Sequence, residues 1–303
     1  MPGSEIAGDV EAVGDGVEGI EVGQPTLLAP GLSCGRCEAC SLGRDHLCPR
    51  YGILGEHRDG GYAELVTVPA RNVLPLPRGL SYVEAAALPL VFLTAWNMLV
   101  GRAAIRPGED VLVHAAGSGV SSAGIQIARL LGARRVIATA SSDEKLAKAR
   151  EVGATHLINY REEGFARRVR EITGKKGVEI VFDHVGGEVF EQSFRCLAWA
   201  GRIVLCGSTA GHEVGINLRA VFFKSLSILG STMGSRGNLI RLLGFVEERW
   251  LEPVVDRTFP LEEAPAAQEA LANREQFGKI VLVVGDDDTA NRAPRPNEEE
   301  PAQ

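Results

Sequence analysis

The pattern of apolar and polar residues divides the chain into two regions, one typical of short β-strands and one typical of alternating strands and helices. Residues 1–80 are rich in Gly and Pro, and their short apolar stretches alternate as β-strands do, for example at 63–68 and 72–76. From about residue 109, strand-like apolar runs alternate with amphipathic helical stretches. The predicted strands are 110–116, 134–140, 155–159, 178–183, 201–207 and 226–231, and the predicted helices are 119–132, 143–151, 162–172 and 187–198. This alternation predicts a parallel sheet covered by helices on both faces.

The last part of the chain continues with helical patterns and ends in a polar segment. Two further helices are predicted at 238–249 and 262–275, followed by a strand at 279–284. Residues 286–303 are acidic, contain several prolines and have almost no apolar residues, so we expect this segment to be disordered.

Composition narrows the class of protein. The 303 residues are 45% apolar and 23% charged, the balance of a globular protein with a large core. Of the net charge of -7, residues 286–303 contribute six acids and two arginines, so the body is close to neutral. A nearly neutral body argues against nucleic-acid binding. The longest apolar run, 85–93, contains Pro89 and is far shorter than the ~18 residues of a membrane span. Residues 1–5 have no signal-peptide features. We expect a cytoplasmic protein that does not bind membranes.

Four of the six cysteines form a compact group with metal-ligand spacing. They are Cys34, Cys37, Cys40 and Cys48, in the pattern C-x2-C-x2-C-x7-C. Because no secretory signal is present, we do not expect disulfides here. Four thiolates suit a tetrahedral zinc ion whose closed shell leaves no position for chemistry, and an iron–sulfur cluster is the alternative. Cys196 and Cys206 lie in apolar surroundings and are predicted to be core residues.

A glycine-rich turn follows the first strand of the alternating region. Strand 110–116 leads into Gly117, Ser118, Gly119 and Val120, and a helix follows. In this position, backbone N–H groups and the helix dipole face the pyrophosphate of a dinucleotide. The motif is a loose form of the dinucleotide fingerprint, and an ordinary glycine turn is the alternative.

The residues after the second strand indicate which dinucleotide binds. NAD binding expects an acid at the end of that strand, where it holds the ribose 2′-hydroxyl. Strand 134–140 ends without one, and Ser141 and Lys145 suit a 2′-phosphate instead. Asp143 is the alternative acid, although its place at the start of a helix is typical of a first-turn residue. The sequence favours NADP(H) over NAD(H).

With these features in place, the chain resembles the medium-chain dehydrogenase/reductase superfamily, in its zinc-binding alcohol dehydrogenase and quinone oxidoreductase branches, over residues 3–284. The four-cysteine loop is similar to that family's structural zinc lobe, and 60–64 and 85–96 are similar to the turn and helix that follow it. The resemblance implies an α/β fold with two domains. These are a Rossmann doubly wound parallel sheet at 95–231 and a GroES-like β-barrel catalytic domain, incomplete at its start, at 1–94 and 232–285.

The resemblance also implies a set of cofactor-binding residues and an assembly. Segments 182–187 and 201–208 resemble the ends of the family's fourth and fifth cofactor-domain strands. The implied cofactor residues are Thr94, Gly117, Ser118, Gly119, Val120, Ser141, Lys145, Tyr160, Val185, Gly207 and Ser208. Among them, the positions of Ser141, Lys145 and Tyr160 hold the 2′-phosphate in the quinone oxidoreductase branch. Segment 228–231 resembles a strand often used in dimerisation, which implies a homodimer or homotetramer.

The chain departs from the family at the catalytic zinc. Alcohol dehydrogenases carry this ion on Cys, His and Cys, and the histidine aligns with Ser4 and the later cysteine with Leu90. The first ligand would lie before Met1, and Glu5 alone makes a poor site. We therefore expect no catalytic zinc. We also expect that the chain starts inside the barrel, so that either the true start lies upstream or this product binds cofactor weakly.

The predicted function is an NAD(P)(H)-dependent oxidoreductase with one structural zinc, transferring hydride between nicotinamide and a small carbonyl, enone or quinone. One alternative is an alcohol dehydrogenase with non-standard catalytic zinc ligands, and another is a non-catalytic dinucleotide-binding protein. His57, in a loop, is a candidate proton donor, with a surface hydrogen-bonding role as the alternative.

Overall fold

The computed structural model describes residues 1–285, and the segment 286–303 that we expect to be disordered lies outside the described residues. The chain forms two compact units. One comprises Met1–Leu93 together with residues 234–285, and the other is Thr94–Met233.

The first part of the chain forms short strands and the cysteine loop. Its elements are β1 (Ala7–Asp9), β2 (Pro25–Leu28), β3 (Gly31–Leu32), α1 (Glu38–Ser41), β4 (Gly52–Ile53) and β5 (Val73–Pro75). Strands β1, β2 and β5 make an antiparallel sheet, and β3 pairs with β4. The strand expected at 72–76 is present as β5. The strand expected at 63–68 is wrong, because this segment is irregular and pairs with no strand among the described residues. Alternation alone does not supply a pairing partner.

An apolar helical stretch leads from the first unit into the second. It consists of α2 (Tyr82–Ala85) and α3 (Pro89–Trp96), and it ends in a π-helical turn at Asn97–Arg102. Ser81 and Glu84 form a capping box that starts α2. The stretch Tyr82–Arg102 is long and apolar enough to cross a membrane, but 78% of its most apolar window is buried inside the protein. Burial within the fold therefore accounts for its composition.

The unit Thr94–Met233 contains the predicted parallel sheet. Its strands are β6 (Asp110–Val113), β7 (Arg135–Ala140), β8 (His156–Asn159), β9 (Val178–Asp183), β10 (Leu197–Leu205) and β11 (Ser227–Gly230), and its helices are α4 (Gly119–Leu130), α5 (Asp143–Glu151), α6 (Phe165–Ile172), α7 (Gly187–Ser193) and α8 (Leu218–Phe223). All pairings are parallel, in the order β11-β10-β9-β6-β7-β8. The order reverses between β6 and β9, as in doubly wound dinucleotide-binding sheets. The α/β prediction is confirmed.

One element of this sheet differs from the prediction. The helix expected at 187–198 ends at Ser193, a 3-10 turn covers Phe194–Cys196, and β10 begins at Leu197. The register against β9 shifts between Leu197 and Arg202, and Ala200 lies between them with a positive φ of 56°. A short apolar run fits a helix and a bulged strand equally well, which is why the sequence misplaced this boundary.

A cluster of charged side chains around one buried carboxylate links the strands at the edge of the sheet where they begin, called here the amino edge. The carboxylate of Asp110, at the start of β6, is fully buried and accepts hydrogen bonds from Arg134 Nε (2.9 Å), Arg134 Nη2 (2.7 Å) and Arg135 Nη1 (2.8 Å). Its main-chain N–H donates to Glu179 Oε2 on β9 at 2.7 Å. The cluster therefore links the starts of β6, β7 and β9, at the edge opposite the glycine-rich turn.

The chain then returns to the first unit. Its last elements are α9 (Arg236–Glu247), β12 (Val255–Pro260), α10 (Ala264–Ala272) and β13 (Lys279–Val283). Strands β12 and β13 are parallel, and β12 was not predicted. Helix α9 buries Leu239, Leu242 and Val246. A cavity of about 970 Å³ in this unit is lined by β1, the irregular segment 61–70, α2 and β13.

Candidate functional site

The glycine-rich turn presents free hydrogen-bond donors at the start of α4. Ser118 is the N-cap residue, and its Oγ accepts from the Ser121 N–H at 3.1 Å. The main-chain N–H groups of Gly119 and Val120 have no acceptor among residues 1–285. Unpaired donors at the positive end of a 12-residue helix suit an anionic group such as a pyrophosphate. The residues present therefore fit a dinucleotide.

A second turn lies beside it, because β9 is the neighbour of β6. The carboxylate of Asp183, the last residue of β9, accepts from the N–H groups of Val185 (2.7 Å) and Gly186 (3.3 Å), which fixes the turn. His184 Nε2 lies 2.9 Å from Ser118 Oγ. Burial raises the pKa of Asp183 and lowers the pKa of His184. The two turns are thus joined by a side-chain hydrogen bond that sequence spacing did not reveal.

His114, between the end of β6 and the glycine-rich turn, is a buried structural residue. Its Nδ1 pairs with Thr139 Oγ1 at 3.2 Å and its Nε2 with Ser193 Oγ at 2.8 Å. Burial lowers its pKa to about 3, so the ring is neutral at ordinary pH. His114 therefore fixes the strand ends rather than exchanging protons with a ligand.

The proposed 2′-phosphate residues lie at the carboxyl ends of β7 and β8. Ser142 is the N-cap of α5, and Asp143 lies in the first turn, where its Oδ1 accepts from Asn159 Nδ2 at 3.1 Å. Ser141 comes directly after β7, Lys145 lies one turn into α5, and the N–H of Tyr160 donates to the carbonyl of Ala140 at 3.1 Å. No acid directly follows β7, and Asp143 is turned towards β8.

The other predicted cofactor residues occupy two different environments. Val185 is in the turn after β9 and accepts at its carbonyl from the Ala210 N–H at 2.7 Å, which brings the turn with Gly207 and Ser208 alongside. Thr94 is instead buried, and its hydroxyl donates to Met233 Sδ at 3.7 Å. Among residues 1–285, Thr94 forms no hydrogen bond with the glycine-rich turn.

The four clustered cysteines converge in space. Their sulfur atoms all lie within 4.8 Å of one another, with Cys34 and Cys40 3.9 Å apart and Cys37 and Cys40 3.5 Å apart. Sulfurs around tetrahedral zinc at about 2.3 Å are separated by about 3.8 Å. Among residues 1–285 this is the one group of three or more His, Cys, Asp or Glu side chains arranged to hold a metal ion.

The surroundings favour the thiolate form at Cys34 and Cys40, whose pKa values are lowered. At Cys37 a main-chain hydrogen bond with Cys40 lowers the pKa, but burial and the neighbouring thiols outweigh it and raise the pKa to about 11. Cys48 Sγ accepts from the N–H groups of Cys34 (3.5 Å) and Arg50 (3.4 Å). The pKa of Cys34 is lowered to about 5, first by the main-chain N–H of Arg36 and then by the Arg50 guanidinium. By contrast, burial raises the pKa of Cys196 to about 12, which suits an inert core thiol. The donor set therefore fits zinc.

Glu5 follows Ser4, the residue that the resemblance aligns with a ligand of the catalytic zinc, and the Glu5 carboxylate is already paired. Oε1 accepts from the N–H groups of Leu90 (2.8 Å) and Val91 (3.1 Å) at the start of α3. Oε2 forms an ion pair with the Lys279 ammonium. The Glu5 side chain is 6% exposed. It caps a helix and anchors β13 within the first unit.

His57 lies in an exposed loop and closes it by a hydrogen bond. Its Nδ1 accepts from the Ile53 N–H at 3.2 Å. This contact is the local hydrogen-bonding role that we considered as the alternative to proton donation.

Two family models match the chain. The model described as zinc-binding dehydrogenase matches residues 119–248, and the model described as alcohol dehydrogenase GroES-like domain matches residues 1–78. The doubly wound sheet with its glycine-rich turn, together with the GroES-like region and its cysteine loop, defines the class of zinc-binding dehydrogenases.

Individual proteins similar to this chain indicate which branches of the zinc-binding dehydrogenases it resembles most. A zinc-type alcohol dehydrogenase-like protein of Schizosaccharomyces pombe is 34% identical, over 94% of this chain and 82% of its own. The quinone oxidoreductase of Pseudomonas aeruginosa is 33% identical, over 93% and 81%. A crystal structure of an NAD-dependent alcohol dehydrogenase is 52% identical with a TM-score of 0.90, over 94% and 82%. The chain belongs to the medium-chain dehydrogenase/reductase superfamily, and it is a zinc-binding oxidoreductase of the alcohol dehydrogenase and quinone oxidoreductase type.

Proposed function

We propose that this protein is an NADP(H)-preferring oxidoreductase that reduces small carbonyl, enone or quinone substrates and holds one structural zinc. The observation that carries the proposal is the row of donors at the carboxyl edge of the sheet. Gly119 and Val120 offer their N–H groups to a pyrophosphate, and Ser141 and Lys145 follow β7 where an acid would hold the ribose of NAD. A bound nicotinamide supplies the hydride chemistry. The chain's own contribution is to bind, orient and exclude water.

Replacing Lys145 by alanine tests the cofactor preference. We expect NADPH binding to weaken by about 1–3 kcal/mol, the range for a hydrogen bond to a charged group, because the 2′-phosphate loses a cation. NADH, which lacks that phosphate, is expected to bind nearly as before. Lys148→Ala, one turn further along α5, is the matched control.

The measurement is an equilibrium titration of each cofactor against the unmodified chain and both variants. NADH is the essential comparison, because similar alcohol dehydrogenases are named NAD-dependent. Equal losses for NADPH and NADH in Lys145→Ala would contradict the assigned role of Lys145. Tighter binding of NADH than of NADPH by the unmodified chain would contradict the preference itself.

We propose that the zinc held by Cys34, Cys37, Cys40 and Cys48 is structural, because four thiolates leave no position for substrate. At the place of the family's catalytic zinc, Leu90 offers no donor atom and the carboxylate of Glu5 is engaged by a helix end and a lysine. Substrates that are already electrophilic fit such a site, because their reduction requires less Lewis-acid assistance.

We also propose that two copies associate through the β11 edge of the sheet. Strand β11 has one free edge within the described sheet, and Ile228 on it is exposed. An apolar patch lies on the same unit, formed by the exposed side chains of Trp199, Leu218, Phe222 and Phe223. The rings of Trp199 and Phe223 are 5.7 Å apart. Exposed apolar patches and unpaired edge strands favour association.

Replacing Phe222 by glutamate is expected to convert the dimer to a monomer, because it places a charge in the apolar patch. Sedimentation analysis at matched concentrations gives the mass of each form. Trp250→Glu, at an equally exposed aromatic residue on the other unit, is the control and should leave the mass unchanged. A monomeric unmodified chain, or a Phe222→Glu dimer of full stability, would contradict this interface.

A further inference from the structure

A hydrogen bond between Ser118 and His184 joins two turns that are distant in sequence. Ser118 ends the glycine-rich turn after β6, and His184 begins the turn after β9. These strands are neighbours at the place where the strand order reverses, and the two side chains meet with Ser118 Oγ 2.9 Å from His184 Nε2. In doubly wound sheets, ligands bind at this switch point.

The direction of this hydrogen bond depends on which ring nitrogen of His184 carries the proton. Ser118 Oγ already accepts from the Ser121 N–H, so its own proton is available to donate. In the neutral imidazole of His184, one ring nitrogen carries the proton and the other is an acceptor. The tautomer with the proton on Nδ1 leaves Nε2 to accept from the Ser118 hydroxyl, whose oxygen already accepts one hydrogen bond.

The charged groups around His184 leave it a neutral acceptor. The Asp183 carboxylate is directed to the N–H groups of Val185 and Gly186, and His184 forms no ion pair among residues 1–285. His114, the nearest titratable ring in the strand ends, is neutral and paired with Thr139 and Ser193. Burial lowers the pKa of His184, which favours the uncharged ring.

We propose that His184 is a positioning residue for the dinucleotide pyrophosphate, acting through the Ser118 hydroxyl. By accepting the Ser118 proton, His184 holds the serine in the rotamer that caps α4 and leaves the N–H groups of Gly119 and Val120 aimed at the ligand. The Ser118–His184 hydrogen bond fixes the N–H donors of the turn before the dinucleotide binds. The conformational entropy lost on binding is therefore smaller. This inference rests on the proposed dinucleotide-binding function.

The test is a set of NADPH titrations on the zinc-loaded full chain with His184→Ala, Ser118→Ala and the double variant. We expect each single variant to bind NADPH about 3- to 10-fold more weakly, the size of one ordinary hydrogen bond. The double variant should be no weaker than the singles, because both remove the same contact. His184→Gln should restore most of the affinity, since its side-chain oxygen can accept near the position of Nε2.

Adenosine 2′-phosphate is the control ligand, because it reaches the end of β7 but has no pyrophosphate. Its affinity should be the same in all variants. An equal loss for this ligand and NADPH would show a general structural role for His184 and overturn the inference. The inference would also be overturned if the fold-losses of NADPH affinity in the two single variants multiplied in the double variant. Failure of His184→Gln to restore affinity would overturn it as well. If the unmodified chain binds neither NADPH nor NADH, the proposed function fails and the inference with it.

Discussion

Replacing Cys37 by serine is expected to abolish zinc binding and to unfold the cysteine loop. The zinc content should fall from one ion per chain to nearly none, because three thiolates and a hydroxyl hold the ion much less tightly. A structural zinc contributes several kcal/mol to folding, since the free energy of metal binding becomes folding free energy where the unmetallated loop lacks order. Metal analysis and limited proteolysis within residues 33–50 measure the two effects.

The loss of folded structure in Cys37→Ser is expected to reach the start of α9, which belongs to the same unit as the cysteine loop. Asp45, between the third and fourth cysteines, accepts at Oδ1 from the Arg236 N–H at 3.1 Å, at the start of α9. An unfolded loop withdraws this carboxylate and leaves the first turn of α9 without it. Cys206→Ser, outside the cluster, is the control and should retain one zinc. Full zinc content in Cys37→Ser would show that Cys37 is not a ligand.

Replacing Asp110 by alanine is expected to cause a large loss of stability in the unit Thr94–Met233. The buried carboxylate joins the starts of three strands, and without it two guanidinium groups lose their partner. Breaking a buried pair costs about 3–5 kcal/mol, and the partial exposure of both arginines lowers the expected cost to about 2–4 kcal/mol. Urea unfolding measures this free energy.

Measuring the NADPH affinity of Asp110→Ala distinguishes a loss of stability from a direct role of Asp110 in cofactor binding. Asp110 lies at the amino edge of the sheet, opposite the phosphate turn, so NADPH binding by the folded Asp110→Ala chain should be unchanged. Glu144→Gln, at the exposed ion pair with Lys148, is the control and should cost less than about 1 kcal/mol. A similarly small cost for Asp110→Ala would contradict the structural role of the cluster.

The sequence predicted the parallel sheet well because its strands are continuous apolar runs bounded by turn residues. Strand β9 was predicted with its observed ends, and α5 likewise, because Ser142 and the first-turn acids mark its start. Helix α7 was predicted too long because the apolar residues at Leu197 and Ala198 fit either a helix or a strand. A segment such as 63–68, which alternates without a neighbouring strand, cannot be distinguished from a paired strand by pattern alone.

The contacts that shape the candidate site depend on strand order rather than on spacing. Ser118 and His184 meet because β9 lies beside β6, although β7 and β8 come between them in the chain. The buried role of Asp110 was missed for the same reason, since its partners lie on β7 and β9. The available signal was an acidic residue at the first position of an otherwise apolar strand. The pairing of Glu5 with Lys279 likewise joins opposite ends of the chain.

The most direct test of the central claim is to follow NADPH oxidation by zinc-loaded protein with a panel of aldehydes, enones and quinones, with metal content determined on the same sample. We predict turnover with at least one electrophilic class, faster with NADPH than with NADH, in protein that contains one zinc per chain. Tight dinucleotide binding without turnover across the panel would indicate a non-catalytic binding protein. Two zinc ions per active chain would show that a catalytic zinc site exists, and either result would contradict the account.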